Sequence, residues 1–92
     1  KGRELVMYQI KYTRQAVKDV EYIKRAGLSE KVQKLISVVK VNPFQNPPPY
    51  EKLTGDLKDL YSRRINIQHR LVYEVLEQEH AVKIIRMWKH YE

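Results

Sequence analysis

The fold is decided between residues 61 and 88, where the chain reads YSRRINIQHRLVYEVLEQEHAVKIIRMW. Three runs rich in Ile, Val, Leu and Tyr lie there, at residues 61–67, 69–76 and 81–88, each parted from the next by a short polar break. β-Branched and aromatic residues fit a pleated, half-buried surface, so each run predicts a strand. Consecutive strands with tight connections form an antiparallel meander. In the middle run, alternation sets Leu71, Tyr73 and Val75 on one face and Arg70, Val72 and Glu74 on the other. If the first set meets a covering layer, Arg70 points to the open face. Arg63 and Arg64 are adjacent and point to opposite faces, so one of them should join Arg70 there as a phosphate clamp.

Upstream, residues 7–12 are apolar-rich with partial alternation and predict a first strand. Thr13 is a helix cap by type and position. Ala16, Val17, Val20 and Ile23 recur at helical spacing, Lys18, Asp19, Glu21, Lys24 and Arg25 take the other face, and Gly27 supplies the stop. Ser29 is read as the next cap, followed by Val32, Leu35, Ile36 and Val39 until Pro43 forces Asn42 out of helical geometry. With two residues between them the helices should form a hairpin. All four prolines and Phe44 fall between Asn42 and Pro49, which makes that segment a stiff loop delivering Tyr50 and Glu51 to a defined place. Residues 56–59 read as a polar turn. The expected fold is α+β, in the order β-α-α-β-β-β, with the helical hairpin on one face of a mainly antiparallel twisted sheet.

Ninety-two residues suit one domain with a modest core, and residues 1–6 are read as an extension ahead of Met7. Eighteen Lys and Arg against 11 Asp and Glu leave a formal charge of +7, a surface that attracts polyanions through counterion release. There is no cysteine, hence no disulfide framework and no thiolate metal site, and a reducing, cytoplasmic setting is expected. The longest apolar runs fall far short of the ~20 residues that cross a bilayer, so no membrane span is expected.

Chemistry is concentrated in a few side chains. Glu51 follows the proline loop, Arg70 opens the middle strand of the meander, and His90 with Tyr91 follows the last one. Cutting RNA without a metal requires a group to take the ribose 2′-hydroxyl proton, a cation to offset charge on the phosphorane, and an acid to protonate the leaving 5′-oxygen. Glu51, Arg70 and His90 are of the right types, and Tyr91 can stack on a base or orient a neighbour. His69, His80 and His90 lack the short paired spacing of a metal site, and neither metal nor other cofactor is expected.

Several linked motifs carry a family resemblance: Asn42-Pro43-Phe44 after the second helix, Glu51 and Leu53 after the proline loop, Ser62-Arg63-Arg64-Ile65, His69-Arg70-Leu71-Val72-Tyr73, and the ending His90-Tyr91. From Met7 onward the chain resembles the YoeB branch of the RelE-like bacterial toxins, the mRNA interferases of type II toxin–antitoxin pairs. The resemblance implies a ribosome-dependent endoribonuclease that cuts translated mRNA in the A site. Glu51 would be general base, Arg70 the phosphate stabiliser, His90 the general acid and Tyr91 their support. Arg64 would contact RNA, with Arg63, Lys52 and Lys89 as further RNA-binding candidates. A YefM-type antitoxin and a second copy of the chain are the implied protein partners. Two other readings stay open: a protein of this fold that grips ribosomal RNA without cutting, and a ParE-like gyrase inhibitor.

Overall fold

The computed structural model describes residues 6–54 and 59–88. The order is β1 (Gln9–Tyr12), α1 (Arg14–Arg25), α2 (Ser29–Val41), β2 (Glu51–Lys52), β3 (Leu60–Arg64), β4 (Arg70–Leu76) and β5 (Ala81–Arg86). The strands form one five-stranded sheet in the order β1-β5-β4-β3-β2. β1 runs parallel to β5, and the other neighbours are antiparallel. The expected α+β architecture is present, with one addition: Glu51–Lys52 pairs with Ser62 and Tyr61 as an edge strand, where the sequence reading had only the end of a loop. Two residues are too few to show periodicity, and this strand exists because β3 offers an open edge beside it.

Helix α1 starts where Thr13 caps it. The Thr13 hydroxyl accepts the Ala16 N–H at 3.0 Å and donates to the Ile85 carbonyl at 2.7 Å, tying the helix start to β5. It stops at Gly27, whose φ of +72° lets the Gly27 and Leu28 N–H groups bond back to Lys24 and Ile23. The expected cap at Ser29 is not found: Leu28 occupies the N-cap position without a side-chain bond, and Ser29 is the first helical residue. Asn42 ends α2 in extended conformation ahead of Pro43, as anticipated.

The apolar stripe of α1 is rotated from the expected one. Ala16, Asp19 and Ile23 are the buried positions, whereas Val17 faces solvent. As a charged residue Asp19 is expected on the polar face, yet it lies three residues after Ala16 and four before Ile23, in register with the buried stripe. Together with Val32, Leu35 and Val39 of α2, Ala16 and Ile23 of α1 meet Leu71, Tyr73, Val82 and Ile84 of the sheet in one hydrophobic cluster. At roughly 25 cal/mol per Å² of apolar surface, such burial is the main stabilising term. No helix among the described residues is long and apolar enough to cross a membrane.

Candidate active site

On the sheet, Glu51 stands directly opposite Ser62, Ser62 opposite Val72, and Arg64 opposite Arg70. Facing residues on paired strands share a side, as do residues two apart, so Glu51, Ser62, Arg64 and Arg70 project from the same face. They line an open pocket of about 230 Å³ with Pro49 and Tyr50. The Arg70 Nη1 lies 3.6 Å from the Glu51 Oε1, with the Glu51 side chain 71% exposed and that of Arg70 31%. Three of the sequence-derived residues, Glu51, Arg64 and Arg70, therefore meet. A carboxylate beside two guanidinium groups in one shallow, wet cleft can remove a proton next to an anion that the cations hold.

Lys52 follows Glu51 on the strand, pairs with Tyr61 and does not line this pocket. Lys89, His90 and Tyr91 lie outside the described residues, as do residues 56–58 of the expected turn.

Arg63 is a correction. It was expected as an RNA contact, but it is wholly buried. Its Nε donates to the Tyr73 hydroxyl at 3.0 Å, Nη1 to the Pro48 carbonyl at 2.6 Å, and Nη2 to the carbonyls of Pro43 and Gln45 at 3.0 and 2.9 Å. The Tyr73 hydroxyl in turn donates to the Pro43 carbonyl at 2.8 Å. The Arg63 guanidinium also lies 5.0 Å from the centre of the Tyr50 ring, a cation–π distance. A cation fully removed from water needs such an envelope, and proline-rich backbone supplies acceptors with few competing donors. The effect is to staple the proline loop to β3 and β4, and this holds Tyr50 and Glu51 at the rim of the pocket. Burial raises the Tyr73 phenol above its ordinary pKa, although the neighbouring Arg63 charge and hydrogen bond pull the other way.

A second buried anchor sits where the chain leaves β5. The Asp19 Oδ2 accepts the N–H groups of Met87 and Trp88 at 3.0 and 3.3 Å, and Oδ1 accepts from the Gln15 amide at 2.8 Å. Trp88 stacks on His69 at 4.0 Å between ring centres and on Tyr22 at 5.3 Å. Trp88 is thereby held against His69, the residue before Arg70.

The family model for the YoeB-like toxin of bacterial type II toxin–antitoxin systems matches residues 12–91. The chain belongs to this family of YoeB-like toxins. Toxin YoeB of Streptomyces coelicolor is 33% identical over 64 residues, spanning 70% of this chain and 74% of that protein. Among solved structures, the YoeB/ParE toxin from Agrobacterium tumefaciens matches with a TM-score of 0.83 at 33% identity, over 90% of this chain and 99% of that one. A chain of the YoeB–YefM complex from Staphylococcus aureus matches with a TM-score of 0.77 at 32% identity, over 91% and 98%.

For this YoeB-like toxin, sequence reasoning overlooked Asp19, Ser62 and the structural use of Arg63. A signal existed for each. Asp19 interrupts an apolar stripe in phase. Ser62 alternates with Arg64, and Arg63 shares its face with the core residues Leu71 and Tyr73, so burial followed from strand parity.

Proposed function

We propose that this chain is the toxin of a type II toxin–antitoxin pair and acts as a ribosome-dependent mRNA endoribonuclease. The observation that carries the reading is the meeting of Glu51, Arg64 and Arg70 in one open pocket on a basic domain. Glu51 takes the proton of a ribose 2′-hydroxyl, whose oxygen forms a bond to phosphorus. Arg70, seconded by Arg64, offsets the charge that gathers on the phosphorane. The bond from phosphorus to the 5′-oxygen breaks, and His90 protonates that oxygen, with Tyr91 in support. The products are a 2′,3′-cyclic phosphate and a 5′-hydroxyl. The reading assigns no metal or cofactor.

Membership of the YoeB-like family supports this assignment, as does the net charge of +7, which favours ribosomal RNA as the surface on which the toxin docks in the cytoplasm. A YefM-type antitoxin and a second copy of the toxin are the proposed protein partners, in keeping with the YoeB–YefM complex and the YoeB dimer of Staphylococcus aureus.

The decisive test incubates the purified protein with programmed ribosomes and end-labelled message. New ends at the A-site codon are expected, and Glu51→Gln and His90→Gln should each abolish them. Because the Glu51 side chain is largely exposed and its contact with Arg70 is long, Glu51→Gln should alter stability by under about 0.5 kcal/mol. Stalled ribosomes carrying intact message would replace the nuclease reading with the non-cleaving one, and inhibition of DNA gyrase with intact message would replace it with the ParE-like one.

A further inference from the structure

Ser62 is a polar side chain of the pocket for which the acid–base scheme has no use. It is 3% exposed, and its hydroxyl oxygen is the buried side-chain atom among the described residues that has no hydrogen-bond partner. Buried hydroxyls are nearly always paired, so an orphan that lines a pocket points to a ligand. The register explains how it comes to be covered. Glu51 belongs to β2 and Arg70 to β4, and the intervening strand is β3, so their 3.6 Å ion pair spans β3 above Ser62 and Arg64. Ser62 faces Glu51 directly and lies two residues from Arg64 on the same side. The cover over it is therefore a long side-chain contact between an exposed Glu51 and a half-buried Arg70.

We propose that Ser62 is a phosphate-contacting residue of the RNA site, an assignment that rests on the endoribonuclease reading above. A phosphodiester entering the pocket draws the Arg70 guanidinium away from Glu51, because its non-bridging oxygens offer a bidentate partner where Glu51 gives a single 3.6 Å contact. The bridge opens and two things follow. The Glu51 carboxylate is left free to face the 2′-hydroxyl, and the Ser62 hydroxyl donates a hydrogen bond to a non-bridging oxygen beside Arg64 and Arg70. No bond to serine forms or breaks. Its donor is fixed on the central part of β3 and needs no reorganisation when charge grows on the phosphorane.

The test is Ser62→Ala in the full chain, assayed by single-turnover cleavage of labelled message on programmed ribosomes, with a urea titration alongside. The cleavage rate constant should fall about 10- to 100-fold, while the half-saturating toxin concentration stays within about twofold. The urea midpoint should equal or exceed that of the wild type, since alanine removes an unpartnered polar group and leaves almost no void. A sulfur in place of one non-bridging oxygen at the scissile phosphate should slow the wild type and add little to the defect of Ser62→Ala. Cleavage by Ser62→Ala at the wild-type rate overturns the assignment, as does a lost rate matched by a lowered urea midpoint or by an undiminished sulfur effect. A wild-type protein that leaves the message whole removes the endoribonuclease reading and this assignment with it, whereas a wild type that cuts beside an equally active Ser62→Ala removes the assignment alone.

Discussion

Replacing Arg63 by lysine keeps the positive charge and should still damage the toxin. The guanidinium makes four hydrogen bonds from three nitrogens in one plane, to the carbonyls of Pro43, Gln45 and Pro48 and to the Tyr73 hydroxyl. An ammonium has three N–H groups on a single tetrahedral centre, so at least one charge-assisted bond is lost, and the cation–π contact of the guanidinium with Tyr50 is altered. With ~1.5–3 kcal/mol for such a bond, the expected loss is about 2–3 kcal/mol. A chain of 92 residues has only ~5–14 kcal/mol of total stability, so the variant folds with a narrow margin. At a urea dependence of ~1.5 kcal/mol per molar, the midpoint should drop by about 1.3–2 M. The fluorescence of Trp88, the single tryptophan, stacked on His69 and Tyr22, reports the transition. Under the proposed endoribonuclease function, loosening the proline loop should also slow cleavage, because Glu51 follows that loop and a displacement of ~1 Å can lower a rate ~100-fold. A midpoint within ~0.3 M of the wild type would refute the claim that this cation holds the loop.

Asp19→Ala leaves the buried Met87 N–H and the half-buried Trp88 N–H without their acceptor, at ~2–3 kcal/mol, and calorimetry should show the melting temperature falling by about 8 °C or more. Asp19→Asn retains one acceptor oxygen and should recover part of that loss. Gly27→Ala meets nothing within 4 Å but must hold a φ of +72°, so its cost is conformational, about 1 kcal/mol or ~4–8 °C in melting temperature. Burial raises the Tyr73 pKa, so the folded state keeps a proton that the unfolded chain releases near pH ~10. Stability is therefore unaffected by this group below pH ~10 and falls as pH rises beyond it, and urea midpoints from pH 8 to 11 should decline less steeply in Tyr73→Phe.

The helical hairpin and the meander were legible because their signals are periodic and long. Ile23, Val32, Leu35 and Val39 sit where helical spacing puts them, and Leu71 and Tyr73 face the helices as alternation requires. Errors arose where periodicity is short or a polar residue takes an apolar place. Glu51–Lys52 is too brief to declare itself a strand, and Asp19 and Arg63 are charged groups whose burial depends on backbone partners far along the chain. Of the site, Glu51, Arg64 and Arg70 could be named by chemical type, but their convergence depends on the pairing of β2 with β3 and β3 with β4, which no local pattern encodes. Ser62 was hidden because a serine in a strand has no character until its neighbours are known.

The outer strands of the sheet, β1 with four residues and β2 with two, bear on how such molecules crowd together. Polymerisation by strand addition needs a long, flat, unpaired border, and here the long hydrophobic strands β4 and β5 are both interior. The borders that remain are stubs of four and two residues, too short to template a long ladder. Removing β1 would bare the hydrogen-bonding margin of β5 along Val82 and Ile84, an apolar edge of the kind that seeds fibrils.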